Sequence, residues 1–493
     1  MRLTAGGTMR RASVGIVLLC VAASVVGCAR PVGYDPAVSL PRGQSDVVVP
    51  IGSAGSYLFA RVEVNGRDGG HFMIDTGCPC NAVDRGLAGR LGLPTLRRGY
   101  ASSAAGRRAA TLRQVRSLRL GDVELGRHDV GAFDMRVMTG SFGVQVDGIL
   151  GSALFRSAPV TIDYRARTMT VHDPQRFKPP AGVWHGRLLV RGSKPYVQVT
   201  VNGTVTGWLL LDLAHGPAVS FNRSADVMGG RAEVDSVTGT RQLLGVGGVE
   251  QYVVGRVESF DVLGHRFEGI EALFAREKGD RPPAHADMGI LGNRLLRHFR
   301  LTLDCARGRV WAEWSVPESV EELKARGADL EAPDLGGNTR LHCAIGSRDP
   351  ERAVALLEAG ADVHARNRLA QTPLAIAVEG SADVVAALLD RGADVNARDG
   401  TGNTVLMYAA RGGIPEVVTR LLDRGANVNA RNDAGFTPLL IAVTSGGAGI
   451  VALLLDRGAD AGATDRKGHT ALNLARRHGH SAVVGLLRKH DAK

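Results

Sequence analysis

A short phrase recurs through the last third of the chain, and its period of about 33 residues leaves few folds open to that part. Thr339, Thr372, Thr404, Thr437 and Thr470 stand at intervals of 33, 32, 33 and 33 residues. Gly-Ala keeps step with them, beginning at Gly327, Gly360, Gly392, Gly425 and Gly458. Each pair closes an apolar stretch such as Val384 to Leu389. Glycine after an apolar periodic run is a helix stop, so each unit predicts helices that bury their apolar faces on the neighbouring units, a solenoid. The repeated Thr, Gly and Asp residues read as turn and helix-start residues rather than as chemistry. This region is expected to occupy residues 317–493, with a degenerate first unit, about five recognisable units and a basic end at Arg476 to Lys493.

A longer and more degenerate repeat of two units precedes it. Val62-Glu63-Val64-Asn65-Gly66 matches Val199-Thr200-Val201-Asn202-Gly203, and the aspartate ending His71 to Asp75 matches Asp212, all at an offset of 137 residues. Further on the offset is 141: Asp147 to Phe155 matches Met288 to Leu296, and Val160 to Asp163 matches Leu301 to Asp304. A four-residue insertion accounts for the change. Both copies are alternating or continuous apolar runs with Gly-rich connections, which predicts an all-β region.

Two families are resembled by these phrases. Gln371 to Ala375, Phe436 to Leu440 and Gly392 to Arg398 resemble ankyrin repeats, which implies an all-α stack presenting a concave surface to a protein partner. The order apolar strand, Asp75-Thr76-Gly77, Gly-rich flap, Ile149-Leu150-Gly151 resembles one lobe of a retropepsin-like aspartic protease, and the second copy implies a fused, two-lobed version. The expected fold class is therefore multidomain: an all-β, two-lobed retropepsin/pepsin-like domain followed by an all-α ankyrin solenoid. Its expected limits are a first lobe at 45–183, a degenerate second lobe at 184–316 and the repeats at 317–493.

The resemblance implies that Asp75 and Asp212 form a catalytic dyad. Two carboxylates held close together cannot both ionise, so they share one proton, and one acts as base while the other acts as acid. Such a pair activates water and protonates the leaving amine without a metal, so no cofactor and no metal is expected. Thr76 and Gly77 are the implied supports, the threonine bracing the loops beneath the dyad and the glycine allowing close backbone approach. The second copy departs from the pattern, reading Asp212-Leu213-Ala214-His215-Gly216. Leu213 has no bracing hydroxyl and Ala214 adds a side chain. Cys78 follows the first motif, where the family usually has Ala, Ser or Thr. His215 reads as a surface or loop histidine. Residues 99–115 and 243–257 fit flap hairpins, Asp163 and Asp304 fit turns, and Cys305 fits packing.

The expected function is an aspartic endopeptidase acting on a peptide or protein, with the ankyrin repeats binding a protein partner or the substrate. The alternative is a catalytically inactive, retropepsin-like peptide-binding and ankyrin scaffold.

Residues 1–27 have the layout of a secretory leader, with Arg10-Arg11 before an apolar stretch from Val14 to Val26. Val25-Val26-Gly27-Cys28 resembles the lipobox of bacterial lipoproteins. The resemblance implies lipidation of Cys28, a tether at 28–44 and a membrane-anchored protein of the cell envelope, facing the periplasm from the outer membrane because Ala29 follows the cysteine. Four cysteines remain beyond Cys20 and Cys28, too few for a disulfide scaffold and without metal-ligand spacing. The chain carries 60 Lys and Arg against 49 Asp and Glu, a formal charge of +11, but the basic residues are scattered. Such diffuse charge does not predict nucleic-acid binding.

Overall fold

The computed structural model describes residues 14–19, 24–26, 36–103, 106–221, 239–245, 248–275, 287–315, 318–412 and 414–491. Of the leader, the stretches Val14–Leu19 and Ser24–Val26 are extended, and Cys28 lies outside the described residues. Among the described residues no helix is long and apolar enough to cross a membrane. The chain divides into two compact units. One holds Val17–Ser236 and Gln242–Ser347, and the other holds Arg348–Lys493 together with Met1–Ile16 and Val237–Arg241.

The first unit is strand-rich, and its two sequence copies pair their strands by one plan. In the first copy Phe72, Met73 and Ile74 run parallel to Gly148, Ile149 and Leu150. In the second, Leu209, Leu210 and Leu211 run parallel to Gly289, Ile290 and Leu291. Each central strand also pairs antiparallel with a short strand after the aspartate loop, Ala82–Asp84 or Val219–Phe221. Continuous apolar runs are what strands buried on both faces require, and Phe72, Ile74, Leu209 and Leu211 are all buried in one core.

Strands from both copies build a further antiparallel sheet. Its order is Asp46–Ala54, Thr168–His172, Val160–Asp163, Phe299–Asp304, Arg309–Trp314 and Trp184–Arg191. Successive side chains on a strand face opposite ways. Val160, Ile162, Leu301, Leu303 and Val310 enter the core, while Thr161, Thr302 and Trp311 border a cavity on the other face.

The all-β expectation needs amendment, because among the described residues four short helices interrupt this region: Arg85–Arg90, Arg136–Phe142, Ser152–Ser157 and Asn293–Leu296. None carries a long apolar period. Local chemistry starts and stops them, as where the Asp84 carboxylate caps the N–H groups of Gly86 and Leu87. The proposed flap at 99–115 is an antiparallel hairpin, Thr95–Ser103 with Gly106–Val115. The other, at 243–257, falls on the strands Gly239–Gly245 and Gly248–Val262, with residues 246–247 outside the described residues.

The C-terminal region is helical, and the periodic residues do what their spacing implies. Thr372, Thr437 and Thr470 each cap a helix by accepting from the backbone three residues on. Gly360, Gly392, Gly425 and Gly458 have φ between 82° and 89°, left-handed conformations in which a Cβ is strained. Arginines tie one unit to the next, Arg366 donating to Arg398 O, Arg398 to Arg431 O and Arg431 to Thr464 O, each at 2.7 Å.

Candidate active site

The apolar strand Arg67–Ile74 delivers Asp75 into a loop, and the strand Val205–Leu211 delivers Asp212 in the same way. The Asp75 N–H donates to Leu150 O at 2.9 Å and the Asp212 N–H donates to Leu291 O at 3.0 Å. The loops then bend back on themselves, through Cys78 N to Asp75 O and His215 N to Asp212 O. The glycine of each Ile-Leu-Gly phrase is required by close backbone approach. A Cβ on Gly151 would lie 2.1 Å from Cys80 O, and one on Gly292 would lie 2.3 Å from His215 O. The next residue in each copy clamps the loop, Ser152 N donating to Cys78 O and Asn293 N to His215 O.

The structure brings together all four residues singled out for the chemistry. Thr76 reaches from the first copy to the second, its hydroxyl donating to Leu211 O at 2.6 Å and accepting from Leu213 N at 3.1 Å. A Cβ on Gly77 would sit 2.5 Å from Asp212 Oδ2. Asp75 and Asp212 are fully buried. Each Oδ1 accepts a backbone N–H at 2.8 Å, from Cys78 or Ala214, and Asp212 also has the Asp75 carboxyl and the Gly77 N–H within hydrogen-bond reach. Burial first, and then the Asp212 charge, pushes the Asp75 carboxyl well above the ordinary range. Burial raises Asp212 to about 6, against the opposing pull of the Ala214 N–H and Lys194. Two buried carboxyl groups of this kind cannot both carry charge, so a single proton serves the pair across a wide range.

Leu213 cannot return the brace that Thr76 supplies, and other groups hold its loop. Asn293 Nδ2 donates to Leu213 O and to Ser56 O, while Tyr164 OH donates to Asn293 Oδ1 at 2.5 Å. Sequence reasoning missed this support. The signal was available in register, since Asn293 stands directly after the second Ile-Leu-Gly, where the first copy has Ser152. Lys194, whose charge opposes the rise of both carboxyls, also went unnoticed, because nothing in its local sequence connects it to either motif.

His215 is not a surface histidine. It is fully buried, its Nε2 paired with Ser220 Oγ at 2.7 Å, and burial lowers it to about 3, so the ring is neutral. Its position in the aspartate loop turns it into the core rather than outward. Asp163 and Asp304 hold turns, through Ala166 N and Arg307 N respectively. Cys305 is a packed thiol that burial pushes up to about 12. Ala101 and Ala110 of the hairpin share one apolar cluster with Cys78 and Ala214, beside the dyad.

A family model described as aspartyl protease matches residues 60–154. A second, described as ankyrin repeats (3 copies), matches residues 311–399 and 406–493. No curated protein matches the chain. The protease match takes in Asp75, Thr76, Gly77 and the first Ile-Leu-Gly, and it ends before the second copy begins. Residues 60–154 are thus an aspartyl protease domain, and the C-terminal part of the chain is built of ankyrin repeats.

Proposed function

We propose that the chain is a two-lobed aspartic endopeptidase in which Asp75 and Asp212 are the catalytic dyad. The supporting observation is the pair itself: two buried carboxyl groups from equivalent loops, each with one oxygen fixed by a backbone N–H, and close enough for Asp75 to hydrogen-bond Asp212. The ionised carboxylate of the pair takes the proton of the attacking water, and the other carboxyl carries the proton delivered towards the leaving amine. The water oxygen bonds to the scissile carbonyl carbon, the C–N bond breaks, and the leaving amine takes up a proton. The dyad has to be uncovered for a peptide to enter, since the carboxyls are closed from solvent. In this proposal the ankyrin repeats hold a protein partner or the substrate, and lipidated Cys28 anchors the protein in the envelope, facing the periplasm.

The complete burial of the dyad, together with Leu213 and Ala214, favours the second reading, a peptide-binding scaffold without catalysis. Peptide-library hydrolysis by the parent, Asp75→Asn, Asp212→Asn and Leu213→Thr/Ala214→Gly separates the two. An enzyme loses turnover by about a thousandfold or more in either Asn variant, and restoring the motif raises it. Equal turnover in the parent and Asp75→Asn overturns the dyad. Peptide binding without turnover in all four proteins establishes the scaffold.

A further inference from the structure

A second buried histidine, outside the dyad, ends a chain of hydrogen bonds that runs onto the loop of Asp75. His128 opens the strand His128–Phe133, and Asn81 closes the Asp75 loop directly before the strand Ala82–Asp84. Both side chains are buried. His128 Nδ1 bonds Gly126 O at 2.7 Å, His128 Nε2 and Asn81 Nδ2 are 2.9 Å apart, and Gly151 N donates to Asn81 Oδ1 at 2.9 Å. Gly151 in turn lies between the two residues that hold the Asp75 loop, since Leu150 O accepts from Asp75 N and Ser152 N donates to Cys78 O.

Each proton in this chain is assigned by its neighbours. A carbonyl only accepts, so His128 Nδ1 carries a hydrogen. A backbone N–H only donates, so the Asn81 oxygen faces Gly151 and the Asn81 amino group faces His128. That amino group needs an acceptor, so Nε2 presents a lone pair and the ring is neutral. The surroundings agree. Burial lowers His128 below the ordinary histidine value, against the opposing pull of Gly126 O and the Asp129 carboxylate, and Asp129 accepts from Gln114 Nε2 at 3.4 Å. On the strand opposite, Val115 faces His128 and Arg113 is turned to Leu93 O. Asp84 caps Gly86 and Leu87, and Arg127 is exposed.

A proton on Nε2 would set two donors against each other across 2.9 Å. Turning the carboxamide over would relieve that contact and set its amino group against Gly151 N, so in either orientation a buried N–H loses its acceptor. In the second copy the corresponding N–H, that of Gly292, donates to a backbone carbonyl, Ala218 O at 2.9 Å, an acceptor that does not titrate.

We propose that His128 and Asn81 are positioning residues for Asp75, neutral His128 orienting the Asn81 carboxamide and Asn81 holding Gly151, and that protonation of His128 releases the Asp75 half of the dyad. The proposal rests on the dyad reading above and gives the enzyme an acid limit separate from that of the carboxyls.

Peptide turnover between about pH 4 and about pH 8, together with nitrogen NMR, tests it in the full-length parent, His128→Gln and His128→Leu. A Gln side chain can accept from Asn81 and does not titrate, whereas Leu cannot accept. Near neutral pH, His128→Leu is expected to lose about tenfold or more in kcat, the effect of a buried N–H without an acceptor on a loop that must be held in place, and His128→Gln to recover most of that loss. On the acid side the parent should lose turnover more steeply than one proton allows, because the dyad and His128 both titrate, and His128→Gln should follow the one-proton slope. In the parent spectrum His128 should carry its hydrogen on Nδ1 near neutral pH, and the Gly151 amide should shift in step with His128 protonation, a step absent from His128→Gln. Hydrogen on Nε2, a Gly151 amide that ignores His128 protonation, equal acid limbs in the parent and His128→Gln, or full turnover in His128→Leu overturns the proposal. Absence of turnover in the parent is the failure of the dyad reading instead, and the ring tautomer and the Gly151 amide then still decide whether His128 holds Asn81.

Discussion

Asp75 and Asp212 lie at strand ends where burial is complete, and burial is the largest influence on both. The consequence for pH is specific. Below about 6 Asp212 is protonated and the pair lacks a base, and at a pH high enough to ionise Asp75 it lacks an acid. Turnover should therefore rise through about pH 6 and fall on the alkaline side, at a pH nearer neutral than the ordinary carboxylate range implies. Stability should run the opposite way. The native state keeps a proton on Asp212 that the unfolded chain releases near its ordinary value of about 3.9, so native stability is lost as the pH rises from about 4 to about 6. Asp212→Asn should lack the Asp212 share of that loss and keep a share from Asp75, which is also raised. Rate profiles and urea midpoints between about pH 4 and pH 8 check both signs, and an acid limb centred near the ordinary value of about 3.9 would contradict the buried-pair account.

The strand-loop-strand arrangement that holds each aspartate depends on backbone packing against backbone. Gly151 is the clearest test, because a Cβ there meets Cys80 O at 2.1 Å and Cys78 O at 2.8 Å, neither of which can turn aside. Gly151→Ala should cost about 3 kcal/mol in urea unfolding and displace the loop carrying Asp75. Gly89→Ala is the control. It sits in the helix Arg85–Arg90 with nothing within 4 Å of the added carbon, and should stabilise by about 0.5–1 kcal/mol. The contrast shows why the repeated Ile-Leu-Gly phrase was legible in the sequence. Its glycine answers a demand made by the adjacent loop, and the same demand recurs in the second copy at Gly292. Tyr164 was not legible, because its contact with Asn293 joins residues 129 positions apart, and Asn293 itself was marked only by its place after the second Ile-Leu-Gly.

The compact unit that contains the β region also contains residues up to Ser347, and specific contacts account for it. The Leu335 N–H donates to Ser53 O at 2.8 Å, and the Gly55 N–H donates to Asp334 Oδ2 at 2.8 Å. The Leu335 side chain lies where a Cβ on Gly52 would be, and it packs on the cluster of Tyr57, Phe142 and Ala214. A fragment of residues 36–347 should therefore be more stable than one of residues 36–316, by about 2–4 kcal/mol for two hydrogen bonds and one apolar side chain. Urea unfolding of the two fragments measures the difference. Equal midpoints would mean that the turn at Asp334 and Leu335 adds nothing to the β unit.

Periodicity carried most of what could be read directly. The 33-residue interval announced helices, caps and left-handed glycines because each unit meets the same local conditions, and the 137-residue offset paired Asp75 with Asp212 because both copies make the same strands and loops. Local patterns of this kind survive in one dimension, since hydrogen-bonding capacity, side-chain period and backbone freedom belong to the residues themselves. Burial of the dyad, the neutral state of His215, the support of Leu213 by Asn293, and the line from His128 through Asn81 to Gly151 do not. Each depends on groups from distant segments meeting at hydrogen-bond distance or excluding water together, and those conditions come into existence when the sheets pack.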